Sequence, residues 1–132
     1  MKFLSIKDSF KSYLIENYDD LWVLNKYIMK GDLIQSKTQR KVTIGSNKTK
    51  QVTKSIFIIL KVTNIKLYID HIKIQGEIQN ETEFTAIGSH HSLSYFVSDC
   101  IEINDSLSLT FKTNYSKNLL KSSIKSTNNK VL

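Results

Sequence analysis

The chain has no proline and a single cysteine, Cys100, among its 132 residues. One cysteine excludes an internal disulfide, so a reducing compartment is expected, with the cytoplasm as the default. The longest apolar run, Ile56 to Leu60, is far shorter than the roughly 20 residues that cross a bilayer. Asp8 and Lys11 interrupt the start of the chain before the apolar core of a signal peptide can form. These absences predict a soluble protein without a secretion signal.

Glycine is scarce as well, with four residues in the whole chain. No glycine-rich phosphate loop and no nucleophile elbow is present, so the best-known motifs for nucleotide binding and serine hydrolysis are missing. The length suits one domain, which buries roughly two-thirds of the surface that its unfolded chain exposes. Neither a disulfide nor a structural metal is needed to explain folding.

Apolar residues that alternate with polar ones dominate the chain and predict a barrel or sandwich of short strands. Asp19 and Asp20 precede Leu21, which begins a helical repeat of apolar residues that Gly31 is expected to end. A polar, lysine-rich end, residues 116–132, is predicted to be a linker or a cut end with a possible short helix, after a domain of residues 1–115. The predicted strands are a first hairpin of residues 3–6 with 13–16, then 33–44, 55–63, 66–69, 72–78 and 107–112.

The formal net charge of +7 should attract polyanions, nucleic acid first and anionic membrane second. The charge is concentrated, because no acid lies between Asp32 and Asp70. An A/T-rich coding sequence would also explain the abundance of lysine, since Arg40 is the only arginine. The cations of this acid-free segment are Lys37, Arg40, Lys41, Lys48, Lys50, Lys54, Lys61 and Lys66.

The centre of this segment, residues 45–54, is predicted to be a polar loop between two apolar strands. Its lysines should project into solvent and meet phosphate, while neighbouring Ser, Thr and Asn side chains donate further hydrogen bonds. The alternative is a solvated hairpin whose lysines only discourage edge pairing. We predict RNA binding here.

A second polar cluster, Gly88-Ser89-His90-His91, is predicted to be a loop. Adjacent histidines suggest a metal site, but neighbours on an extended chain point to opposite sides and no further ligand lies at a suitable spacing. An imidazole that stacks on a base or binds a phosphate is a better interpretation than a metal site. A structural interpretation, with one histidine packed and the other exposed, fits the spacing equally well. No metal ligand is predicted.

Carboxylates are the third kind of candidate, because metal-dependent nucleases hold Mg²⁺ with two or more acids. The candidates for catalysis are Asp19, Asp20 and Asp32. All three also have structural interpretations, two at a helix start and one in a turn.

Taken in order, five short motifs resemble the amino-terminal domain of the Pelota family. The resemblance covers roughly residues 1–121, and although each motif is weak alone, their order and spacing are specific. The motifs are Asp19-Asp20-Leu21-Trp22, Gly31-Asp32, Lys37-Thr38-Gln39-Arg40-Lys41-Val42, Ile74-Gln75-Gly76-Glu77-Ile78 and Gly88-Ser89-His90-His91.

The resemblance implies a small Sm-like β-barrel with two further domains downstream in the full protein. It implies a monomeric factor that recognises stalled ribosomes in the A site, near the decoding centre, and promotes their dissociation with a translational GTPase of the elongation-factor type. It also implies that the cationic residues after the Lys-Thr-x-Arg motif line the messenger channel, together with Gly88, Ser89, His90 and His91. Those cationic residues are Arg40, Lys41, Lys48, Lys50 and Lys54.

Two alternatives stay open. The first is an endoribonuclease that cleaves stalled messenger and needs a divalent metal cation, whereas RNA binding itself needs no cofactor. The second is a structural oligomer, because Sm-like barrels can form rings.

Overall fold

The computed structural model describes the backbone of residues 1–44, 50–82 and 85–129, and the side chains of these residues apart from 40–44, 50–51 and 125–129. Seven strands form one antiparallel sheet in the order β1-β2-β7-β3-β4-β5-β6. They are β1 (Lys2–Lys7), β2 (Phe10–Leu14), β3 (Leu33–Ile44), β4 (Lys50–Leu67), β5 (His71–Ile78), β6 (His90–Phe96) and β7 (Cys100–Asn104). The helices are α1 (Tyr18–Tyr27), a short 3-10 turn (Leu109–Phe111) and α2 (Asn114–Asn129).

The predicted fold class, mainly β with a helix near the amino terminus and another at the carboxyl end, is confirmed. The expected barrel is an open sheet by its strand pairing, because over the described residues the edge strands β1 and β6 do not pair with each other. Within the same residues no helix is both long and apolar enough to span a bilayer.

Alternation of apolar and polar residues builds the core, as β5 shows by burying every second residue. Fully burying a side chain such as Ile or Leu contributes about 1.5–3 kcal/mol, so the buried apolar residues supply most of the driving force for folding. Both helices contribute to this core, α1 through Leu21 and Leu24 and α2 through Leu120. Buried core residues include Leu21, Leu24, Ile34, Ile56, Ile58, Leu60, Ile72, Ile74, Ile78, Ile101, Ile103 and Leu120.

The amino-terminal end of α1 is fixed by a capping box. The Asp20 amide donates to the Asn17 side chain at 3.0 Å, and the Asp20 carboxylate accepts from the Asn17 amide at 3.3 Å. The prediction that Gly31 ends this helix is wrong. Extended backbone at Ile28 ends it earlier, and Gly31, at a φ of +97°, lies in the turn that leads into β3.

Strand bounds differ from the predictions in several places. The second strand of the first hairpin is Phe10–Leu14 and not 13–16. Two predicted loops are partly strand, since β4 already begins at Lys50 and β6 begins at His90. The expected strands 55–63 and 66–69 are one strand, β4, in which a bulge at Thr63 shifts the register. The expected strand 107–112 is instead a turn, because Ser108 and Lys112 bond to Asp32 and hold the segment against the end of α1. Strands β6 and β7 were not predicted, since their apolar residues alternate with polar ones over only a few positions.

Candidate nucleic-acid interface

Strands β3 and β4 extend beyond the rest of the sheet as a two-stranded ribbon. They pair without interruption from Leu33 opposite Lys61 to Ile44 opposite Lys50. β7 flanks β3 only as far as Gln35, and β5 flanks β4 only from Leu60 onward. Residues 36–44 and 50–59, which we call the projecting ribbon, therefore have no third strand among the described residues. Ile56 and Ile58 at the base of this ribbon are buried in the core, so the part that extends away from the core begins at Ser55, which pairs with Gln39. From Gln39 to Ile44, at about 3.4 Å per residue, that part is roughly 17 Å long.

The base of the projecting ribbon is anchored by Asn80. Its amide nitrogen donates to the Phe57 carbonyl at 2.9 Å, and its amide oxygen accepts from the Ile59 amide at 2.7 Å. The Gln79 amide adds a bond of 2.8 Å to the Ile59 carbonyl. Asn80 thus satisfies backbone groups that a neighbouring strand would otherwise pair, so the base is held firmly while the outer part projects.

The projecting ribbon carries the basic residues that the sequence singled out. Lys37 and Lys54 are both exposed. Lys54 pairs with position 40 of β3, and Lys37 lies three residues before that position, so the two lysines are on opposite faces of the ribbon. Arg40, Lys41 and Lys50 have described backbone within the ribbon, but their side chains lie outside the described residues. Lys48 lies outside them entirely.

The second predicted cluster leads from a turn into β6. Gly88, at a φ of +90°, donates its amide to the Ile78 carbonyl at 2.8 Å, and the Ser89 carbonyl accepts from the Ile78 amide at 2.8 Å. His90 is exposed and His91 is half-buried on the opposite face of β6. The alternation predicted for adjacent histidines is confirmed.

His90 and His91 border a cleft of about 580 Å³ beside the bulge of β4. A Cβ atom at Gly76, which pairs with His91, would lie 2.2 Å from the Lys61 carbonyl oxygen, so only glycine fits. The Thr63 hydroxyl donates to the Gln75 carbonyl at 3.3 Å. Sequence reasoning missed Thr63 and Gln75 as cleft residues, because the bulge that brings them there leaves no local sequence signal.

The candidate catalytic carboxylates differ in their surroundings and in the groups to which they bond. Asp20 is buried and accepts from the Glu16 amide at 2.8 Å, the Met1 amine at 2.7 Å and the Ser123 hydroxyl at 2.6 Å. Burial alone would raise the pKa of Asp20, but the bonds from Met1, Ser123 and Glu16 outweigh it and lower this pKa. Asp19 is exposed in the first turn of α1.

Asp32 is fully buried and bonds to a different set of groups. Its Oδ2 atom accepts from Lys112 Nζ at 2.7 Å and from the Met29 amide at 3.1 Å. Its Oδ1 atom accepts from the Ser108 hydroxyl. Within the described parts of the chain, no three acidic, histidine or cysteine side chains form a group that could hold a metal ion.

Comparisons with known proteins agree with this architecture. The family model described as the Pelota N-terminal domain matches residues 3–125. The pelota homolog of Sulfurisphaera tokodaii is 33% identical over 90 residues, which are 67% of this chain and 26% of that protein. The chain therefore spans about a quarter of the length of this curated relative.

Solved structures show the same fold. A ribosome-bound archaeal Pelota, in a model with ABCE1, superposes with a TM-score of 0.69 at 20% identity, over 94% of this chain and 36% of the other. The Saccharomyces cerevisiae protein Dom34, described as a translation termination-like factor that interacts with Hbs1, gives a TM-score of 0.61 at 18% identity, over 94% and 33%. Together with the family match, the open sheet and its two helices lead to one conclusion: the chain belongs to the Pelota N-terminal domain family.

Proposed function

We propose that this chain is the RNA- and ribosome-binding domain of a Pelota-type factor that recognises stalled ribosomes and promotes their dissociation in mRNA surveillance (no-go decay). The projecting ribbon is the observation that carries the proposal. It carries an acid-free, lysine-bearing segment past the neighbouring strands, and this segment is the part that we propose enters the A site and the messenger channel. The ribosome-bound archaeal relative supports this role.

Binding by the projecting ribbon would rest on charge. Lysine ammonium groups neutralise phosphates and release their counterions, while hydroxyl and amide side chains such as Ser55 and Gln39 donate further hydrogen bonds. Such contacts fix the position of RNA without reading its bases. The Gly88 to His91 turn would add contacts through the imidazoles of His90 and His91.

The whole protein would supply what this domain does not. We place it in the cytoplasm as a monomer, working with a translational GTPase of the elongation-factor type. The interaction of Dom34 with Hbs1 supports the GTPase partner. Binding of ribosome and messenger would need no cofactor.

The salt dependence of RNA binding tests the proposal. Single-stranded RNA held by six cations should give a slope of about −4 for the logarithm of the binding constant against the logarithm of salt concentration. Replacement of Lys48, Lys50 and Lys54 by alanine should reduce the slope by about 2. A triple alanine variant of Lys7, Lys117 and Lys121 loses the same charge elsewhere and is the matched control. A slope near zero for the unmodified chain would contradict the proposal.

The endoribonuclease alternative needs a test that does not disturb the fold. Because Asp20 and Asp32 hold buried partners, loss of activity in their variants would not separate catalysis from folding. Asp19 is exposed, so Asp19→Ala is the informative change. Divalent-metal-dependent cleavage of purified RNA that disappears with Asp19→Ala would favour a nuclease, whereas cleavage that persists would exclude Asp19 as its catalytic group.

The structural-oligomer alternative predicts a different mass in solution. Edge strands β1 and β6 could pair between copies, because they do not pair with each other in the described part of the chain. Sedimentation of a stable ring would support the oligomer, while a monomer supports the rescue factor.

A further inference from the structure

Strands β4, β5 and β6 present a second surface to solvent, on the side of the sheet away from the core. After the bulge at Thr63, the register aligns residues of the three strands in rows. One row joins two lysines to a serine, and the next joins three polar residues. The outer sheet face consists of the rows Tyr68, His71, Phe96, then Lys66, Lys73, Ser94, then Asn64, Gln75, Ser92.

The first row is a continuous stack of three rings. The centroids of Tyr68 and His71 are 4.6 Å apart at an angle of 9°, and those of His71 and Phe96 are 4.9 Å apart at 25°. Asp70 holds the central imidazole, with 2.6 Å between its carboxylate and Nδ1. Tyr68 is 38% exposed and Phe96 is 43% exposed. The stack therefore runs across the sheet and ends at edge strand β6 with a ring that is open to solvent.

The second row places positive charge beside this stack. Lys66 pairs directly with Lys73 across the two strands, and like charges at opposed positions destabilise a sheet unless an anion lies between them. Lys66 Nζ is also 5.5 Å from the centre of the Tyr68 ring. Three acids lie near this face. Asp70 is engaged by His71, and the Asp99 carboxylate accepts from the Phe96 amide at 2.8 Å. Glu77 pairs with Lys61 on one side and with His90 on the other.

We propose that the outer sheet face is a binding site for single-stranded RNA. A base would stack on Phe96 and extend the row of rings, while phosphates on either side of it would contact Lys66 and Lys73. Stacking on aromatic side chains beside cations is how proteins hold single strands without sequence preference. The inference rests on the RNA binding proposed above but adds a contact that requires bases.

The position of β4 supports this assignment. The same strand forms one side of the projecting ribbon before Leu60 and supplies Lys66 after the bulge. A strand of RNA that leaves the ribbon could follow β4 onto the outer sheet face. An acidic peptide could use the same lysines, but the planar rings at stacking distance and the polar third row suit a base better than an apolar peptide side chain.

Two RNA probes separate the two kinds of contact. One is an oligouridylate of about 12 nucleotides, and the other is an abasic oligonucleotide with the same number of phosphates. Phe96→Ala should weaken binding of the oligouridylate about 10- to 100-fold and leave the abasic probe unchanged. The matched control is Phe111→Ala, which removes a phenyl ring that is 74% exposed outside this face. It should change neither affinity.

A second variant covers the case in which Phe96→Ala disturbs the edge strand. Phe96→Trp keeps a stacking ring and should bind the oligouridylate at least as tightly as the unmodified chain. Its indole fluorescence should be quenched by the oligouridylate and not by the abasic probe. Trp22, present in both proteins, gives the background signal.

The lysine row has its own measurement. Replacing Lys66 and Lys73 by alanine should reduce the logarithmic salt slope by about 1.4 for both probes. A double alanine variant of Lys117 and Lys121 removes equal charge from α2 and should leave the slope unchanged.

The outcomes separate this inference from the function on which it rests. The sheet-face site would be overturned if both probes bound equally tightly, or if Phe96→Ala and Phe96→Trp did not change the binding. The ribbon proposal would still stand in either case, provided that the binding depends on salt. Failure of both probes to bind with a salt-dependent affinity would overturn both. A hexaglutamate peptide that depends on Phe96 as strongly as the oligouridylate does would also overturn the site, in favour of a protein partner.

Discussion

Charged side chains take opposite arrangements in two regions of this molecule. Around Asp32 they are buried and paired, so that each carboxylate oxygen and ammonium group has partners within the protein. On the outer sheet face Lys66 and Lys73 are set opposite each other, and the projecting ribbon bears the exposed Lys37 and Lys54. The first arrangement holds segments of the chain together, whereas the second brings like charges together at the surface, which disfavours the sheet where Lys66 faces Lys73. The fold and the proposed function thus draw on separate sets of charges.

The buried set joins three segments that are distant in sequence. Lys112 Nζ donates to Asp32 and to the Tyr27 carbonyl, each at 2.7 Å, and lies 4.2 Å from the centre of the Tyr27 ring. The Tyr27 hydroxyl donates to Asp105. The end of α1, the start of β3 and the segment after β7 are therefore locked together, and removal of one partner leaves another charge buried.

The largest effect should come from Asp32→Ala. It leaves the Lys112 ammonium buried without its counterion, and breaking such a pair typically costs about 3–5 kcal/mol of the free energy of unfolding. Urea denaturation followed by circular dichroism measures the loss. Lys54→Ala, on the projecting ribbon, is the control and should change stability by less than about 0.5 kcal/mol.

The double variant Asp32→Leu with Lys112→Met sharpens this test. It removes both charges and keeps apolar volume, so it should be markedly more stable than Asp32→Ala. If the double variant were as unstable as Asp32→Ala, the cost would come from lost packing or from the hydrogen bonds that Met29, Ser108 and Tyr27 lose, and not from an unpaired charge.

A smaller effect is expected from Tyr27→Phe, which removes only the hydroxyl. Burial and the bond to Asp105 raise the pKa of Tyr27, consistent with a neutral donor that serves a carboxylate. Loss of this hydrogen bond should cost about 1.5–3 kcal/mol of the free energy of unfolding. Tyr115→Phe, at an exposed position, should have no measurable effect. Equal melting temperatures for Tyr27→Phe and the unmodified chain would contradict a stabilising role for the bond.

Local patterns in the sequence predicted the parts of the fold that depend on local physics. The bounds of β3 match the prediction, and α1 follows from its acidic first turn and apolar spacing, although its cap is Asn17 and not the aspartates. The segment 107–112 alternates as a strand would, yet its conformation is decided by Asp32, far away in the sequence. A tertiary bond of this kind leaves no trace in the local sequence.

The candidate site divides in the same way. Exposure of Lys54 followed from its polar surroundings, and the opposite orientation of His90 and His91 followed from strand periodicity. The stack of Tyr68, His71 and Phe96 could not be predicted, because it requires the register of three strands. The buried partners of Asp20 and Asp32 could not be predicted from the sequence either, which is why these two residues were candidates for catalysis.

The next effect depends on pH and concerns Asp20. Its folded-state pKa lies below the unfolded value of about 3.9. Folding therefore favours the charged form of Asp20. The stability that this carboxylate contributes is complete above the unfolded pKa and is lost as the pH falls through the folded pKa. The free energy of unfolding should fall below about pH 4, and Asp20→Asn should flatten this dependence, as measured by urea titrations across that range. Asp19→Asn, at an exposed position, is the matched control, and an unchanged slope in Asp20→Asn would contradict the assignment.

The smallest effect on stability should come from Lys73→Glu, and its sign is the informative part. The new carboxylate would face Lys66 across β4 and β5, so a repulsive pair becomes an attractive one and the free energy of unfolding should rise by about 0.2–1 kcal/mol. The same change places a negative charge where a phosphate is expected, so the affinity for single-stranded RNA should fall while stability rises. Lys117→Glu on α2 makes the same change in net charge and should weaken RNA binding far less. Stability and affinity that fell together in Lys73→Glu would mean that the lysine row supports the fold, as the buried charges do, and the distinction between the two regions would not hold.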